Sequence, residues 1–169
     1  MGLVSGFWSC RSTTNTGVDW QPTFFTELQG KNLAEVADRI IPRTDTPGAK
    51  DVGAHEVIDE IVKNCTAAPE QARLQSGLDA LNTKAQDAHG SDFYQLDPST
   101  MDALLTEEAQ AAQGQDEHWW GGMKYLALMT YFTSEAGATE HLQYEPNPGP
   151  YQGCVPLADV GEGKAWGLE

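Results

Sequence analysis

Glu117-His-Trp-Trp-Gly-Gly-Met-Lys-Tyr-Leu-Ala-Leu-Met-Thr-Tyr-Phe132 is the most apolar helix-like stretch of the chain. It predicts a helix that is apolar nearly all round, and such a helix is buried on several sides. Either it is the central helix of a bundle, or another subunit covers one of its faces. Gly121 and Gly122 leave two alternatives: they let another backbone come close, or the helix begins only after Gly122.

Apolar residues at helical spacing precede this stretch in four further segments. Pro42 ends the first segment, Gly90 caps the third, and Asp97 starts the fourth. The predicted helices run over about 26–41, 53–64, 69–88 and from 97 onward. No strand alternation persists, and no repeat of about 20–50 residues is visible. The predicted fold class is therefore all-α, a five- or six-helix bundle with extended N- and C-terminal segments.

Three regions follow from this pattern. Residues 1–25 are predicted to be a signal remnant and linker arm, which Trp20 and the pair Phe24-Phe25 pin to the helices. Residues 26–142 form the helical domain, and residues 143–169 form an extended partner-binding tail.

Cys65 lies on the apolar stripe of the second helix, where it is predicted to be a small buried residue.

Composition excludes several classes of function. The 169 residues carry 25 acidic and 10 basic side chains, a net charge of −15. Nucleic-acid binding is excluded, because phosphate contacts need clustered Lys and Arg. No run reaches the roughly 20 apolar residues that a membrane span needs. An acidic surface suits a secreted or salt-exposed protein, and a solvated acidic face is favoured over an acidic docking patch.

The first residues, Met1-Gly-Leu-Val-Ser-Gly-Phe-Trp-Ser-Cys10, are apolar and rich in small side chains. A polar linker follows them. This pattern is typical of the end of an export signal whose charged start is missing. Cys10 follows a small residue, as at a lipoprotein attachment site, so lipidation of Cys10 is one interpretation. The other is a disordered leader with an incidental cysteine.

The chain shows no motif for a catalytic centre, for cofactor binding or for a metal site. Its three cysteines are far apart, which argues against zinc and iron–sulfur sites. His55 has carboxylates near it at helical spacing, and Glu135 stands near His141, but neither group supplies enough ligands for a metal. Solvated surface residues are the favoured interpretation. A metal-assisted enzyme built on His55, Glu56 and Glu60, or on Glu135 and His141, is an alternative.

The segment Tyr144-Glu-Pro-Asn-Pro-Gly-Pro-Tyr-Gln-Gly-Cys-Val-Pro156 predicts a partner contact. Its prolines lower the entropy lost on docking, and its tyrosines offer large contact areas. Cys154 forms either an intersubunit disulfide or a buried thiol contact, and an internal Cys65–Cys154 bond competes with both. The candidate partner-binding residues are Trp119, Trp120, Tyr125, Tyr131, Phe132, Tyr144, Pro146, Pro148, Tyr151 and Cys154.

Two long motifs resemble one known family. They are Ala37-Asp-Arg-Ile-Ile-Pro-Arg-Thr-Asp-Thr-Pro-Gly-Ala-Lys-Asp-Val-Gly53 and Tyr131-Phe-Thr-Ser-Glu-Ala-Gly-Ala-Thr139, the latter followed by the segment from Tyr144 to Pro156. In this order they resemble the gluconate 2-dehydrogenase subunit 3 family over roughly residues 25–169.

The resemblance implies a small subunit without catalytic residues or a cofactor of its own. Its partner would be a large FAD-containing subunit of the glucose–methanol–choline (GMC) oxidoreductase type. That subunit oxidises gluconate, glucose, fructose or a glycoside, in some members at the 3-hydroxyl. An iron–sulfur cluster or haem c in partner subunits, and a cytochrome c subunit that takes the electrons, also belong to what the resemblance implies.

The family resemblance also implies a role in the folding and twin-arginine export of the large subunit, hence a periplasmic or cell-envelope location. This sequence contains no twin arginine. The resemblance therefore implies either a truncated precursor or export that depends on another chain. We expect membrane association only through partners or through a lipidated Cys10. The alternatives are a free-standing, envelope-associated acidic binding protein and the metal-assisted enzyme.

Overall fold

The computed structural model describes residues 20–147, 150, 153–159 and 163–165. Over these residues the chain forms five α-helices and no β-strand, which confirms the all-α prediction. The helices are α1 (Glu27–Ile40), α2 (Ala54–Cys65), α3 (Ala68–His89), α4 (Pro98–Ala111) and α5 (Trp119–Phe132). A 3₁₀ turn (Phe93–Gln95) joins α3 to α4, and a π-helical turn (Gly137–His141) follows α5. None of the described helices is long and apolar enough to cross a membrane.

Local capping chemistry sets the helix ends. Thr26 and Gln29 form a reciprocal capping box at the start of α1. Asp97 accepts hydrogen bonds from the backbone N–H groups of Ser99 and Thr100 at the start of α4, both at 3.1 Å. Gly90 ends α3 in the left-handed region at φ 71°, where glycine carries no steric cost. The predicted boundaries of these helices are therefore confirmed to within one or two residues.

Helices α1 and α5 lie at the centre of the bundle, because each of them packs against the other four helices. The buried residues Trp119, Met123 and Leu126 of α5 join the inward faces of the other helices in one core. Fully buried members of that core include Leu33, Ile58, Leu78, Phe93 and Met123. Tyr131 belongs to a second, smaller cluster with Ala37, Ala49 and Ala54.

The segment Trp20–Phe25 is fastened to α2 by one carboxylate. Asp59, itself fully buried, accepts hydrogen bonds from the backbone N–H groups of Thr23 (2.7 Å), Phe24 (3.1 Å) and Phe25 (3.0 Å). Burial acts to raise the pKa of Asp59, but these hydrogen bonds together outweigh it and hold the pKa below its ordinary value. Phe25 is buried and Trp20 packs edge-on against His55. The prediction that aromatic residues pin this arm is confirmed.

The structure tests two further predictions, the burial of Cys65 and the place where α5 begins. Cys65 is exposed, so the prediction of a buried cysteine is wrong: it is the last residue of α2, beyond Val62, the last buried residue of that helix. Gly121 and Gly122 lie within α5, so the helix does not begin after them. The boundaries at residues 25 and 142 remain predictions, and residues 1–19 with Cys10 lie outside the described part.

Candidate partner-binding surface

The loop between α1 and α2, residues 41–53, is held rigidly; we call it the motif loop. Arg43 donates from Nε to Oδ2 of Asp51 at 2.7 Å and makes a second, parallel contact to the other carboxylate oxygen. Hydrogen bonding from the Arg43 guanidinium holds the pKa of Asp51 below its ordinary value. The backbone N–H of Gly48 also donates to Asp51, at 2.8 Å. A Cβ on Gly48 would stand 2.7 Å from the backbone N of Arg43, so only glycine fits where these two parts of the motif loop come together.

Tyr131 connects the motif loop to the end of α5. Its side chain is fully buried, and its hydroxyl donates to the backbone carbonyl of Pro47 at 2.8 Å, a contact that spans 84 residues of sequence. The His141 ring stands edge-on to Tyr131 at 5.9 Å and to Phe132 at 5.3 Å between centroids. A Cβ on Gly137 would overlap the carbonyl of Tyr131. The two sequence motifs therefore form one end of the bundle.

The outward face of α5 is apolar. Gly121, Tyr125, Leu128 and Phe132 lie about one helical turn apart on one side of α5; we call them the α5 stripe. Phe132, at the end of the stripe, also packs against the cluster that contains Tyr131. Tyr125 is 65% exposed, whereas Leu128 and Phe132 are partly exposed. Lys124 is the sole charged residue of α5. An apolar outward face of this kind can bind an apolar surface of another protein.

The structure separates the candidate residues into an inner and an outer group. Trp119 (6% exposed) and Tyr131 (0%) belong to the chain's own core, so their assignment as partner anchors is wrong. The indole of Trp119 donates to Glu108 at 2.8 Å and packs on Gly77. The exposed or partly exposed candidates are Trp120, Tyr125, Phe132, Tyr144 and Pro146. Pro148 and Tyr151 lie outside the described residues.

Cys154 and Cys65 are both exposed and free, so the internal bond between them is not formed. Cys154 adopts a left-handed backbone conformation, φ 58°, which is uncommon for a residue with a side chain. Its pairing with a partner cysteine remains a prediction.

The described parts of the tail return to the bundle. The backbone N–H of Gln143 donates to the carbonyl of Ala165 at 2.7 Å. The Lys164 ammonium donates to the carbonyl of Glu140, the penultimate residue of the π-helical turn, at 2.8 Å. Residues 164–165 therefore lie beside residues 140–143, and Cys154 belongs to a segment anchored at both of its ends.

The histidines and carboxylates considered for metal chemistry do not come together as a set of metal ligands in the described part of the chain. Glu60 accepts a hydrogen bond from the Thr23 hydroxyl at 3.1 Å. His55 Nε2 lies 4.0 Å from Glu56 Oε1, and within the described chain His55 Nδ1 has no hydrogen-bond partner. Burial, with a smaller contribution from Lys50, lowers the pKa of His55 to about 4. Among the residues described here, no group of three His, Cys, Asp or Glu side chains is arranged to hold a metal.

Two buried polar groups were missed by sequence reasoning. Glu108 is 4% exposed and contacts Lys84, His118 and the Trp119 indole, which ties α3, α4 and the start of α5 together. Asn82 donates to Asp92 and accepts from the backbone N–H of Phe93, which holds the 3₁₀ turn on α3. A signal existed for Glu108, because it follows Met101, Leu104 and Leu105 at helical spacing on the core face of α4.

A family model described as gluconate 2-dehydrogenase subunit 3 matches residues 27–149. The chain belongs to the gluconate 2-dehydrogenase subunit 3 family. The matched region contains the motif loop, the whole of α5 and the start of the tail. The family name describes one subunit of a dehydrogenase complex, so association with other subunits is part of the assignment. No curated protein and no solved structure gives a significant match to the chain.

Proposed function

We propose that this chain is the non-catalytic small subunit of a periplasmic or membrane-associated FAD-dependent dehydrogenase of the GMC type, acting on CH–OH groups of sugars or glycosides. The observation that carries the proposal is the α5 stripe. A member of a subunit family presents, on α5, an apolar stripe that its own fold leaves partly exposed, with Tyr125 the most exposed residue of the stripe.

The exposure of the stripe favours a permanent partner. Water-facing positions of a helix are ordinarily polar. On α5, Tyr125 is exposed beside Lys124, and Leu128 and Phe132 are partly exposed, while polar and charged side chains cover most of the outward faces of α3 and α4. Obligate interfaces are apolar and rich in aromatic residues. The large flavin-carrying subunit is the partner that we propose to cover this face.

In this proposal, all redox chemistry takes place in partner subunits. FAD lies in the large subunit, an iron–sulfur cluster or haem c lies in a partner, and a cytochrome c subunit is the electron acceptor. The chain described here binds the large subunit, stabilises its fold and accompanies it through twin-arginine export. Its location would be the periplasm or cell envelope. The high acidity of the chain keeps such an exported protein soluble before assembly.

We further propose that Cys154 forms the intersubunit disulfide. Its thiol is exposed, and an oxidising compartment permits the bond. Electrophoresis of the complex without reductant should show one band that contains both chains, and reductant should separate it. Cys154→Ser should abolish that band, whereas Cys65→Ser should keep it. Two separate bands from the wild-type complex would show that the disulfide is absent.

The decisive experiment for the proposed function is co-expression with a GMC-type flavoprotein encoded beside this chain. We expect the two proteins to purify together with bound flavin and to reduce a dye in the presence of sugar. The flavoprotein expressed alone should give less soluble, flavin-loaded protein. Sugar-dependent dye reduction by this chain without any flavoprotein would contradict the proposal, as would a stable chain that never associates with the flavoprotein.

A further inference from the structure

Gly121 differs from the other glycines at helix contacts. A Cβ on Gly77 would overlap the Trp119 ring, and a Cβ on Gly122 would stand 2.7 Å from Oε1 of Glu70. The chain's own packing therefore explains Gly77, whereas the contact at Gly122 is with the end of a flexible side chain that can move aside. A Cβ on Gly121 would meet no described atom within 4 Å. Gly121 has helical backbone geometry, so any helix-forming residue could adopt it.

Gly121 also stands at the start of an apolar surface. It is the third residue of α5 and precedes Tyr125 by one turn on the α5 stripe. The stripe from Gly121 to Phe132 is about 17 Å long at 1.5 Å per residue. The missing Cβ leaves an open notch at this end of the stripe, because no described side chain comes within 4 Å of the position that it would occupy. Glycine is the residue that permits the closest approach of another backbone.

Exposed acidic residues flank α5 in sequence, and the exposed Lys124 lies within the helix between them. Asp116 and Glu117 are exposed just before α5, and Glu135 is exposed just after it. An apolar segment with basic residues towards its ends would complement this arrangement. A second copy of the chain would not, since each copy carries a net charge of −15.

We propose that a helix of the large flavoprotein subunit packs along the α5 stripe and crosses it with its backbone close to Gly121. This inference rests on the proposed function and adds the place and manner of docking. The partner helix has an apolar centre that covers Tyr125, Leu128 and Phe132. Lys or Arg residues towards its two ends face Asp116, Glu117 and Glu135.

Gly121→Leu tests the close approach. The variant fills the notch without a clash in the free chain, so circular dichroism of the full-length chain should show a melting temperature equal to or above that of the wild type. In a titration of purified flavoprotein subunit, binding should weaken by tenfold or more. Gly121→Ala should lie between the two. Ala80→Leu, on the exposed face of α3, is the matched control and should bind like the wild type.

The outcomes separate the inference from the function it rests on. If the wild type and Gly121→Leu bind the flavoprotein equally well, the close approach is wrong and the proposed function stands. If Ala80→Leu weakens binding as much as Gly121→Leu, the effect is not local and the inference is overturned. If the wild type does not bind a flavoprotein at all, both fail. A wild-type dimer in sedimentation that Gly121→Leu dissociates would assign the face to a second copy instead.

The proposed pairing of the acidic residues that flank α5 with basic residues of the partner helix can be tested separately. Glu117→Lys combined with Glu135→Lys should slow association with the flavoprotein several-fold at low salt, and the difference should shrink as salt is added. Asp87→Lys combined with Glu107→Lys changes the net charge equally at exposed sites on α3 and α4. An equal slowing by this control pair would contradict the local complementarity.

Discussion

The two sides of α5 have similar composition and opposite environments. On the inner side, Trp119 and Tyr131 are buried, and each has a hydrogen-bond partner for its polar atom. On the outer side, Tyr125 is 65% exposed, Leu128 is partly exposed, and Phe132 is partly covered by the His141 ring. The inner side stabilises the bundle, whereas the outer side contributes little to the fold of the free chain. Apolar character alone therefore does not identify an interface.

The largest effect is expected from a comparison of Tyr131 and Tyr125, which lie on the two sides of the same helix. Tyr131→Ala should lower the free energy of unfolding by about 3–5 kcal/mol, because it leaves a cavity and an unpaired Pro47 carbonyl. Tyr125→Ala should change it by less than about 0.5 kcal/mol. Urea denaturation of the full-length chain measures both. Equal losses would show that Tyr125 is covered by the chain itself.

The next largest expected change in the free energy of unfolding is at Glu108, the buried carboxylate that accepts from the Trp119 indole. Glu108→Ala should cost about 2–3 kcal/mol, because the Trp119 indole and the Lys84 ammonium lose their partner. Glu107→Ala, at the exposed neighbouring position, is the control and should be nearly neutral. The same denaturation experiment applies. A neutral Glu108→Ala would mean that water replaces the carboxylate without cost.

The inner packing also predicts a dependence on pH. His55 has a folded-state pKa of about 4, below its ordinary value, so between these two values the unfolded chain binds more protons than the folded one. The contribution of neutral His55 to the free energy of unfolding is fully present above about pH 6.5, and it is lost as the pH falls towards 4. Asp59 lowers the stability further at more acidic pH. Its ionised carboxylate stabilises the folded chain, and this stabilisation is lost as the pH falls through the lowered folded-state pKa.

Stability should therefore fall by about 2 kcal/mol from pH 6.5 to pH 4 on account of His55. His55→Phe should flatten this part of the curve, whereas His89→Gln, at an exposed position at the end of α3, should leave it unchanged. Thermal melts across the pH range give the comparison. A His55→Phe curve parallel to that of the wild type would contradict the assignment.

The smallest effect distinguishes the two adjacent glycines. Gly121→Ala should stabilise the free chain by up to about 1 kcal/mol, because the added methyl group meets open space. Gly122→Ala should stabilise it less, because Glu70 must move away. Thermal melts of both variants suffice. A destabilised Gly121→Ala would mean that another part of the chain already approaches Gly121.

Sequence reasoning succeeded where the controlling contacts are local. Thr26, Gly90 and Asp97 act on backbone groups within a few residues, so the helix ends could be located before the structure was known. It failed for Cys65, since one further residue of α2 takes a side chain out of the core. It could not foresee that Asp59 would be buried by the arm rather than exposed on α2, because the arm lies about 35 residues away in sequence.

The candidate surface was predictable only in part. The family motifs, the apolar character of α5 and the unusual tail are all visible in the order of the residues. Which of the aromatic residues are available to a partner is not, because a helix that is apolar on every side has no periodicity that marks its inner face. Trp119 and Tyr131 were assigned wrongly for this reason.

By itself, the order of the residues determined an all-α chain of five or six helices, their approximate limits and the family, because these depend on short-range backbone chemistry and on linear motifs. Tertiary packing decided which side of α5 is buried and brought Pro47 to Tyr131 across 84 residues. Such choices depend on how the other helices close around α5, and that closure is set by the summed contacts of distant segments rather than by any one stretch.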